Sequence, residues 1–272
     1  MTEASLDDFA GTLVLVGAGK MGGAMLEGWH RLGLKFDKVA VIEPQPTPEI
    51  MALGQRGLRI NPALDTIAAA AIVIAVKPQS APQALPALKP MIRHDTVAIS
   101  IMAGRTLAFL ENALPGAALV RAMPNTPALV RSGVTAISGG SFATSHDLRW
   151  AEDILSAVGT VVRLPERLLD AVTGLSGSGP AYFFLVAEAL MEAGVQMGLT
   201  RDVSRTLVVE TMLGSARLLE ETGQDPEALR AMVTSPAGTT AAGVRALEAK
   251  AVRSAFMEAV AAATERSRTL HR

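Results

Sequence analysis

The chain has 272 residues, enough for one large domain or two modest ones with a substantial core. Its 25 Lys and Arg against 26 Asp and Glu give a net charge of −1, without the basic stripe that nucleic-acid binding needs. It has no cysteine, which excludes disulfides, thiol nucleophiles and Cys-ligated metals.

The N-terminal segment is acidic and lacks an apolar signal core, so we expect no export signal and a cytoplasmic protein. The longest apolar run, residues 67–76, is too short to span a bilayer. The four histidines show no ligand-like spacing, and we expect no metal site.

Up to about residue 165, short apolar runs alternate with helical patterns. This alternation predicts an α/β fold with a Rossmann-like, doubly wound parallel sheet. The predicted strands are residues 12–16, 38–43, 70–76, 96–102, 118–122, 134–138 and 160–163. Helices are predicted at residues 20–32, 48–56 and 106–113. Residues 1–165 thus form the first predicted domain.

Residues 166–272 show only Ala- and Leu-rich helical periodicity, which predicts an all-helical second domain. Its predicted helices are residues 180–198, 200–222 and 226–233, followed by a helical tail at 240–268. These helices carry more apolar residues than one buried stripe requires. Burial against a second copy of the chain would account for this excess, and so would a fully buried central helix.

A glycine-rich motif lies between the first predicted strand and its helix. Its residues are Gly17, Ala18, Gly19, Lys20, Met21 and Gly22. Gly17 makes the tight turn, Gly19 lets a pyrophosphate approach, and Gly22 lets helix and sheet pack closely. Glu43 ends the second predicted strand at the distance expected of a carboxylate that holds an adenosine ribose. The motif predicts a dinucleotide cofactor, and Glu43 with no nearby Arg favours NADH over NADPH.

Two further loops follow predicted strands at the sheet edge where open α/β sheets bind ligands. One contains Val76, Lys77 and Pro78, and the other Ala122, Met123, Pro124 and Asn125. Asn125 could bond a ribose or carboxamide, and Lys77 could meet a phosphate or carboxylate.

Residues 234–240 form a Ser/Thr-rich loop before a predicted helix. Ser and Thr favour helix N-caps, and the free N–H groups of a helix N-terminus suit an anion. The second domain has no histidine before His271 to serve as a proton donor. A protonated imine does not need such a donor, because the iminium carbon is already electrophilic, so this site fits imine reduction best.

These segments resemble the pyrroline-5-carboxylate reductases, the enzymes that complete proline synthesis. The resemblance runs nearly end to end. It is carried by AVKP at 75–78, RAMPNTP at 121–127, GSGPAY at 177–182, TSPAGTT at 234–240 and ALE at 246–248. The segment 234–240 is the most specific, because other dinucleotide enzymes lack it. The chain departs from the family at Ala237, where many members carry Gly, and at Glu43, because the family commonly prefers NADPH.

The resemblance implies reduction of 1-pyrroline-5-carboxylate to L-proline with NADPH or NADH. It implies that backbone N–H groups of Ser235, Gly238 and Thr239 hold the substrate carboxylate, and that the Thr240 hydroxyl is the catalytic group at the ring nitrogen. The residues implied to border the nicotinamide are Val76, Lys77, Pro78, Ala122, Met123 and Asn125. It further implies a homodimer through the helical domain and larger rings up to a decamer, with no nucleic-acid or membrane partner.

Three alternatives stay open. A reductase of related cyclic imines would use the same site. A hydroxyacid dehydrogenase of similar build would need a lysine early in the helical domain, and residues 168–193 contain none. A redox-sensing protein would bind the dinucleotide tightly without turnover.

Overall fold

The computed structural model describes residues 5–270. Contacts divide the chain into two units. The first unit consists of the chain up to Ser178 together with the segment from Ala263 onward. The second unit is Gly179–Ala262. The chain end is tied to the first unit by a hydrogen bond of 2.7 Å from Ser267 Oγ to Asp170 Oδ1.

The first unit contains an eight-stranded sheet. Its strands are β1 (Thr12–Val16), β2 (Val39–Ile42), β3 (Arg59–Ile60), β4 (Ala69–Ile74), β5 (Val97–Ser100), β6 (Ala118–Met123), β7 (Gly133–Gly139) and β8 (Gly159–Arg163). They lie in the order β3-β2-β1-β4-β5-β6-β7-β8. The chain first builds outward from β1 on one side and then crosses to β4 on the other. The predicted Rossmann-like fold class is confirmed.

One strand pair departs from the predicted parallel sheet. β6 and β7 pair antiparallel, whereas the other neighbours pair parallel. The link between β6 and β7 contains only a short 3₁₀ turn, Thr126–Val130. A parallel crossover needs about a dozen residues or more, so this short link favours antiparallel pairing.

Six α-helices lie wholly within the described part of the first unit. They are α1 (Lys20–Arg31), α2 (Pro48–Leu53), α3 (Ala81–Leu88), α4 (Leu107–Ala113), α5 (Ser145–Ser156) and α6 (Leu169–Val172). Thr47, Thr106 and Thr144 cap α2, α4 and α5 through their side chains. The sequence did not predict α3, which carries Pro86 in its interior, nor β3 or α5.

Alternating strand residues form two buried clusters, one on each face of the sheet. Leu13 and Leu15 of β1 pack in one cluster with Trp29 of α1, whose Nε1 donates to Ile154 O (2.8 Å). Val14 and Val16 belong to the opposite cluster, with Leu85 and Leu88 of α3. This burial on both faces rigidly sets the carboxyl ends of β1, β2 and β4.

The second unit is helical. It contains α7 (Gly179–Gln196), α8 (Arg201–Thr222), α9 (Pro226–Met232), α10 (Thr239–Ala249) and the first part of α11 (Val252–Leu270). The side chain of Thr200 caps α8 at its start, and Gly223 ends it in the left-handed region. The predicted single helical tail is wrong, because the chain breaks between α10 and α11 at Ala251, which has φ +54°. No Gly or Pro marks that break in the sequence.

The helices of the second unit expose large apolar side chains. Phe183 and Phe184 of α7 are about two-thirds exposed, and Leu207 and Leu213 of α8 are also exposed. Exposed apolar side chains in this number are typical of protein interfaces. Within residues 5–270, no helix is long and apolar enough to cross a membrane.

Candidate active site

The glycine-rich motif forms the turn between β1 and α1. Gly17 has φ +95°, and a Cβ there would lie 2.8 Å from the backbone of Ala75. A Cβ at Gly22 would collide with the Gly17 carbonyl oxygen. Gly19 is the N-cap of α1, and a Cβ there would meet no atom within 4 Å. The turn is therefore tight on its protein side and open at Gly19.

The open side of the turn suits an anion. The first turn of α1 carries no acidic residue, and helix N-termini present unpaired N–H groups and a positive dipole end. The N–H of Gly17 is already used, because it donates to Ile42 O (2.9 Å). This arrangement fits the diphosphate of a dinucleotide.

Glu43 follows β2 and contacts the glycine turn directly. Its Oε2 accepts from the Ala18 N–H (2.9 Å), and its Oε1 accepts from the Gln45 N–H (3.1 Å). Asn61, beyond β3, holds the Glu43 backbone in two further hydrogen bonds of 2.9 Å each. The carboxylate is thus fixed at the β2 end of the sheet edge, where an adenosine ribose binds in this fold.

A cleft of about 590 Å³ opens at the carboxyl ends of β1, β2 and β4. It brings together five of the predicted residues, which are Gly17, Gly19, Glu43, Val76 and Lys77. Leu64, Ala84 and Leu88 add an apolar wall that the sequence did not predict. Of the remaining predicted residues, Lys20 lines a neighbouring groove between α1 and α2, and Met21 packs against the core.

The loop after β4 is held by a residue that the sequence did not predict. Arg105, after β5, donates from Nε (3.2 Å) and NH2 (2.8 Å) to the carbonyl oxygen of Pro78. Its guanidinium also lies 4.6 Å from the ring centroid of Phe109. Arg105 therefore positions the Val76–Pro78 loop relative to the cleft.

We expect Arg105→Met to raise the dissociation constant of the reduced cofactor by roughly fivefold, because two charge-assisted hydrogen bonds to the loop are lost. Fluorescence titration of the bound cofactor measures the change. Arg93→Met, which removes an exposed arginine of the neighbouring loop, serves as the control. Equal cofactor affinity in Arg105→Met and the unaltered chain would show that Arg105 does not position the Val76–Pro78 loop for cofactor binding.

The loop after β6 uses its polar side chain for structure. Asn125 Oδ1 accepts from the Val134 N–H (2.9 Å), and Nδ2 donates to Ser176 O (3.2 Å). One N–H of its amide is left to meet a ligand. Ala122 is buried, and Met123 ends β6 with its methyl group close to Gly177. Asn125 is thus mainly a brace between β7 and the segment before α7.

A partly buried ion pair connects several elements at the base of this region. Arg121 of β6 is 5% exposed, and its NH1 lies 2.9 Å from Glu166 Oε1. The same oxygen accepts from the Leu107 N–H (2.7 Å) at the start of α4. One carboxylate therefore ties β6, α4 and the start of the segment that follows β8.

The Ser/Thr loop lies in the second unit, at the N-terminus of α10. Gly238 donates its N–H to Ser235 O (3.1 Å), which closes a turn through Pro236 and Ala237. The resemblance implied that this N–H binds substrate, but in the structure it is engaged. Within the described residues, the N–H groups of Ser235, Thr239 and Thr240 have no protein acceptor. These three N–H groups therefore remain available to an anion.

Ala237 adopts φ +59°, a conformation that favours glycine. We expect Ala237→Gly to raise the free energy of unfolding by about 0.5 kcal/mol, because relief of the left-handed strain exceeds the entropy that Gly adds to the unfolded chain. Denaturant unfolding measures this change. Ala241→Gly, within the first turn of α10, should lower stability by about 1 kcal/mol instead. A loss of stability in both variants would contradict the strain assigned to Ala237.

The cleft contains little acid–base equipment. None of the histidines in the described part of the chain lines it. His30, at the end of α1, contacts Leu34 O (3.4 Å) and Arg56 NH2 (2.8 Å) instead. The same part of the chain contains no group of three His, Asp or Glu side chains arranged to hold a metal ion.

A glycine turn opening α1, a carboxylate after β2 and a cleft beside β1 together define a Rossmann-type dinucleotide-binding protein. A family model described as NADP oxidoreductase, coenzyme F420-dependent, matches residues 12–104. A second model, described as pyrroline-5-carboxylate reductase dimerisation, matches residues 166–270. The chain belongs to the pyrroline-5-carboxylate reductase family.

Individual relatives agree over nearly the whole length. The chain is 42% identical over 259 residues to the pyrroline-5-carboxylate reductase of Methanosarcina acetivorans, covering 94% of this chain and 96% of the relative. A solved pyrroline-5-carboxylate reductase of Coxiella burnetii superposes with a TM-score of 0.90 at 32% identity, covering 96% and 99% of the two chains. The pyrroline carboxylate reductase of Plasmodium falciparum, solved with NADP bound, gives a TM-score of 0.84 at 31% identity, covering 97% and 99%.

Proposed function

We propose that this chain reduces 1-pyrroline-5-carboxylate to L-proline with NADH or NADPH, the last step of proline biosynthesis. The observation that carries the proposal is the presence of two helix N-termini with N–H groups free to bind an anion, one at Gly19 and the other at Thr239. The first suits the cofactor diphosphate and the second a substrate carboxylate. Family membership over nearly the full length supports the same reaction.

The glycine turn and Glu43 hold the cofactor, and the Val76–Pro78 and Ala122–Asn125 loops border its nicotinamide end. When bound, the reduced nicotinamide supplies a hydride to the imine carbon, and the ring nitrogen keeps the proton of the iminium. The protein contributes mainly position, because the substrate is already electrophilic once protonated.

In the second unit, the N–H groups of Ser235 and Thr239 bind the substrate carboxylate. The N–H of Gly238 contributes only if its turn with Ser235 O opens. The Thr240 hydroxyl is exposed in the first turn of α10. It forms a hydrogen bond with the ring nitrogen and so orients the imine. Thr240 is therefore the catalytic residue of this proposal.

The assembly is a homodimer or a larger homo-oligomer through the helical region, which the dimerisation model at residues 166–270 supports. The functional division at residue 165 and assembly into a decamer remain predictions, as does a cytoplasmic location.

The test compares three compounds at equal concentration with reduced cofactor. They are pyrroline-5-carboxylate, 1-pyrroline without the carboxylate, and an open-chain 2-keto acid. We expect turnover with the first, a loss of about 100-fold or more in kcat/KM with the second, and none with the third. Equal rates with and without the carboxylate would contradict a carboxylate-binding site at the start of α10. Preference for the keto acid would indicate a hydroxyacid dehydrogenase.

A further inference from the structure

The segment that follows β2 is poor in backbone N–H groups that could bind a phosphate, and Gln45 is its one side-chain donor. Its residues are Glu43, Pro44, Gln45 and Pro46. The two prolines have no N–H. The Glu43 N–H donates to Asn61 Oδ1 (2.9 Å), and the Gln45 N–H donates to Glu43 Oε1 (3.1 Å). Every backbone donor of this segment is therefore absent or engaged.

The Glu43 carboxylate cannot move away without losing contacts. Its two oxygens accept from two separate backbone N–H groups, one of them in the glycine turn. Asn61 pins the Glu43 backbone from the other side, and its own φ of +50° is held by that contact. The negative charge is thus fixed beside the place of the adenosine ribose.

The charges around the cleft have a definite order. Of the described residues that line it, Lys77 is the single cation and Glu43 the single anion. Lys77 follows β4 and Glu43 follows β2, and β1 separates these two strands. The cation therefore lies on the nicotinamide side of the turn, away from the ribose end.

We propose that this chain selects NADH over NADPH, and that Glu43 is the residue that discriminates. The inference rests on the proposed function. A 2′-phosphate carries about two negative charges and needs donors or cations around it. At this site it meets a fixed carboxylate and a segment whose backbone N–H groups are absent or engaged, whereas the ribose hydroxyls of NADH can donate to the same carboxylate.

The experiment measures dissociation constants of NADH and NADPH by titration in the absence of imine substrate, so that the readout is binding and not turnover. For the unaltered chain we expect NADPH to bind roughly tenfold or more weakly than NADH. Glu43→Gln removes the charge but keeps one acceptor oxygen. We expect it to bring the two constants at least about fivefold closer together.

Glu49→Gln is the matched control. It removes the same charge from the first turn of α2, outside the cleft, and should leave the ratio of the two constants unchanged. Tighter binding of NADPH by the unaltered chain would overturn the inference alone. An equal shift in Glu49→Gln, or parallel weakening of both cofactors in Glu43→Gln, would also overturn it. Binding of neither cofactor would overturn the proposed function itself.

Discussion

Thr240→Ala is expected to lower kcat for pyrroline-5-carboxylate by about 100-fold, because the hydroxyl that orients the ring nitrogen is lost. The dissociation constant for the reduced cofactor should stay unchanged. Thr240 is exposed at the start of α10, so the free energy of unfolding should change by less than about 0.5 kcal/mol. Steady-state kinetics and cofactor titration on the same preparation separate these quantities.

Two neighbouring variants sharpen this result. Thr240→Ser keeps a hydroxyl and should recover most of the activity. Thr239→Ala keeps the backbone N–H assigned to the carboxylate and should remain within a few-fold of the unaltered chain. Equal losses in Thr239→Ala and Thr240→Ala would assign the effect to the helix start in general and remove Thr240 from the chemistry.

Gly19→Ala is expected to weaken cofactor binding by roughly 10- to 100-fold without unfolding the protein. The new methyl group would meet no protein atom within 4 Å, and the negative φ of Gly19 (−67°) tolerates alanine. It would, however, occupy the open side of the turn that a diphosphate must approach. Isothermal titration with reduced cofactor measures the loss, and the unfolding midpoint checks the fold.

Gly23→Ala provides the matched control, because a Cβ at Gly23 also meets nothing within 4 Å but lies on α1 beyond the turn. Its cofactor affinity should equal that of the unaltered chain. If Gly19→Ala bound the cofactor normally, the diphosphate would have to lie elsewhere, and the account of the cleft would be wrong.

Much of the fold could be predicted from local pattern. β1, β2, β4 and β5 are apolar runs buried on both faces, so each stands out in the sequence. β3 has only two residues, and α3 contains Pro86 in its interior, so neither element shows a clear periodic pattern in the sequence. The break at Ala251 depends on a left-handed backbone conformation, which an alanine in the sequence does not predict.

The candidate site divides in the same way. Gly17, Gly19, Gly22 and Glu43 follow a spacing imposed by the turn itself, so the sequence predicts them. Arg105 contacts a loop 27 residues earlier in the chain. Asn61, which follows β3, holds the backbone of Glu43 at the end of the neighbouring strand β2. Contacts of this kind depend on strand order, which no short motif encodes. The engagement of the Gly238 N–H likewise required the turn geometry.

The most direct test of the central claim is a stoichiometric one. The purified chain is incubated with pyrroline-5-carboxylate and NADH, and proline and oxidised cofactor are measured together. The account predicts one L-proline formed for each NADH oxidised. Tight binding of NADH without oxidation, or oxidation that yields no proline, would contradict it.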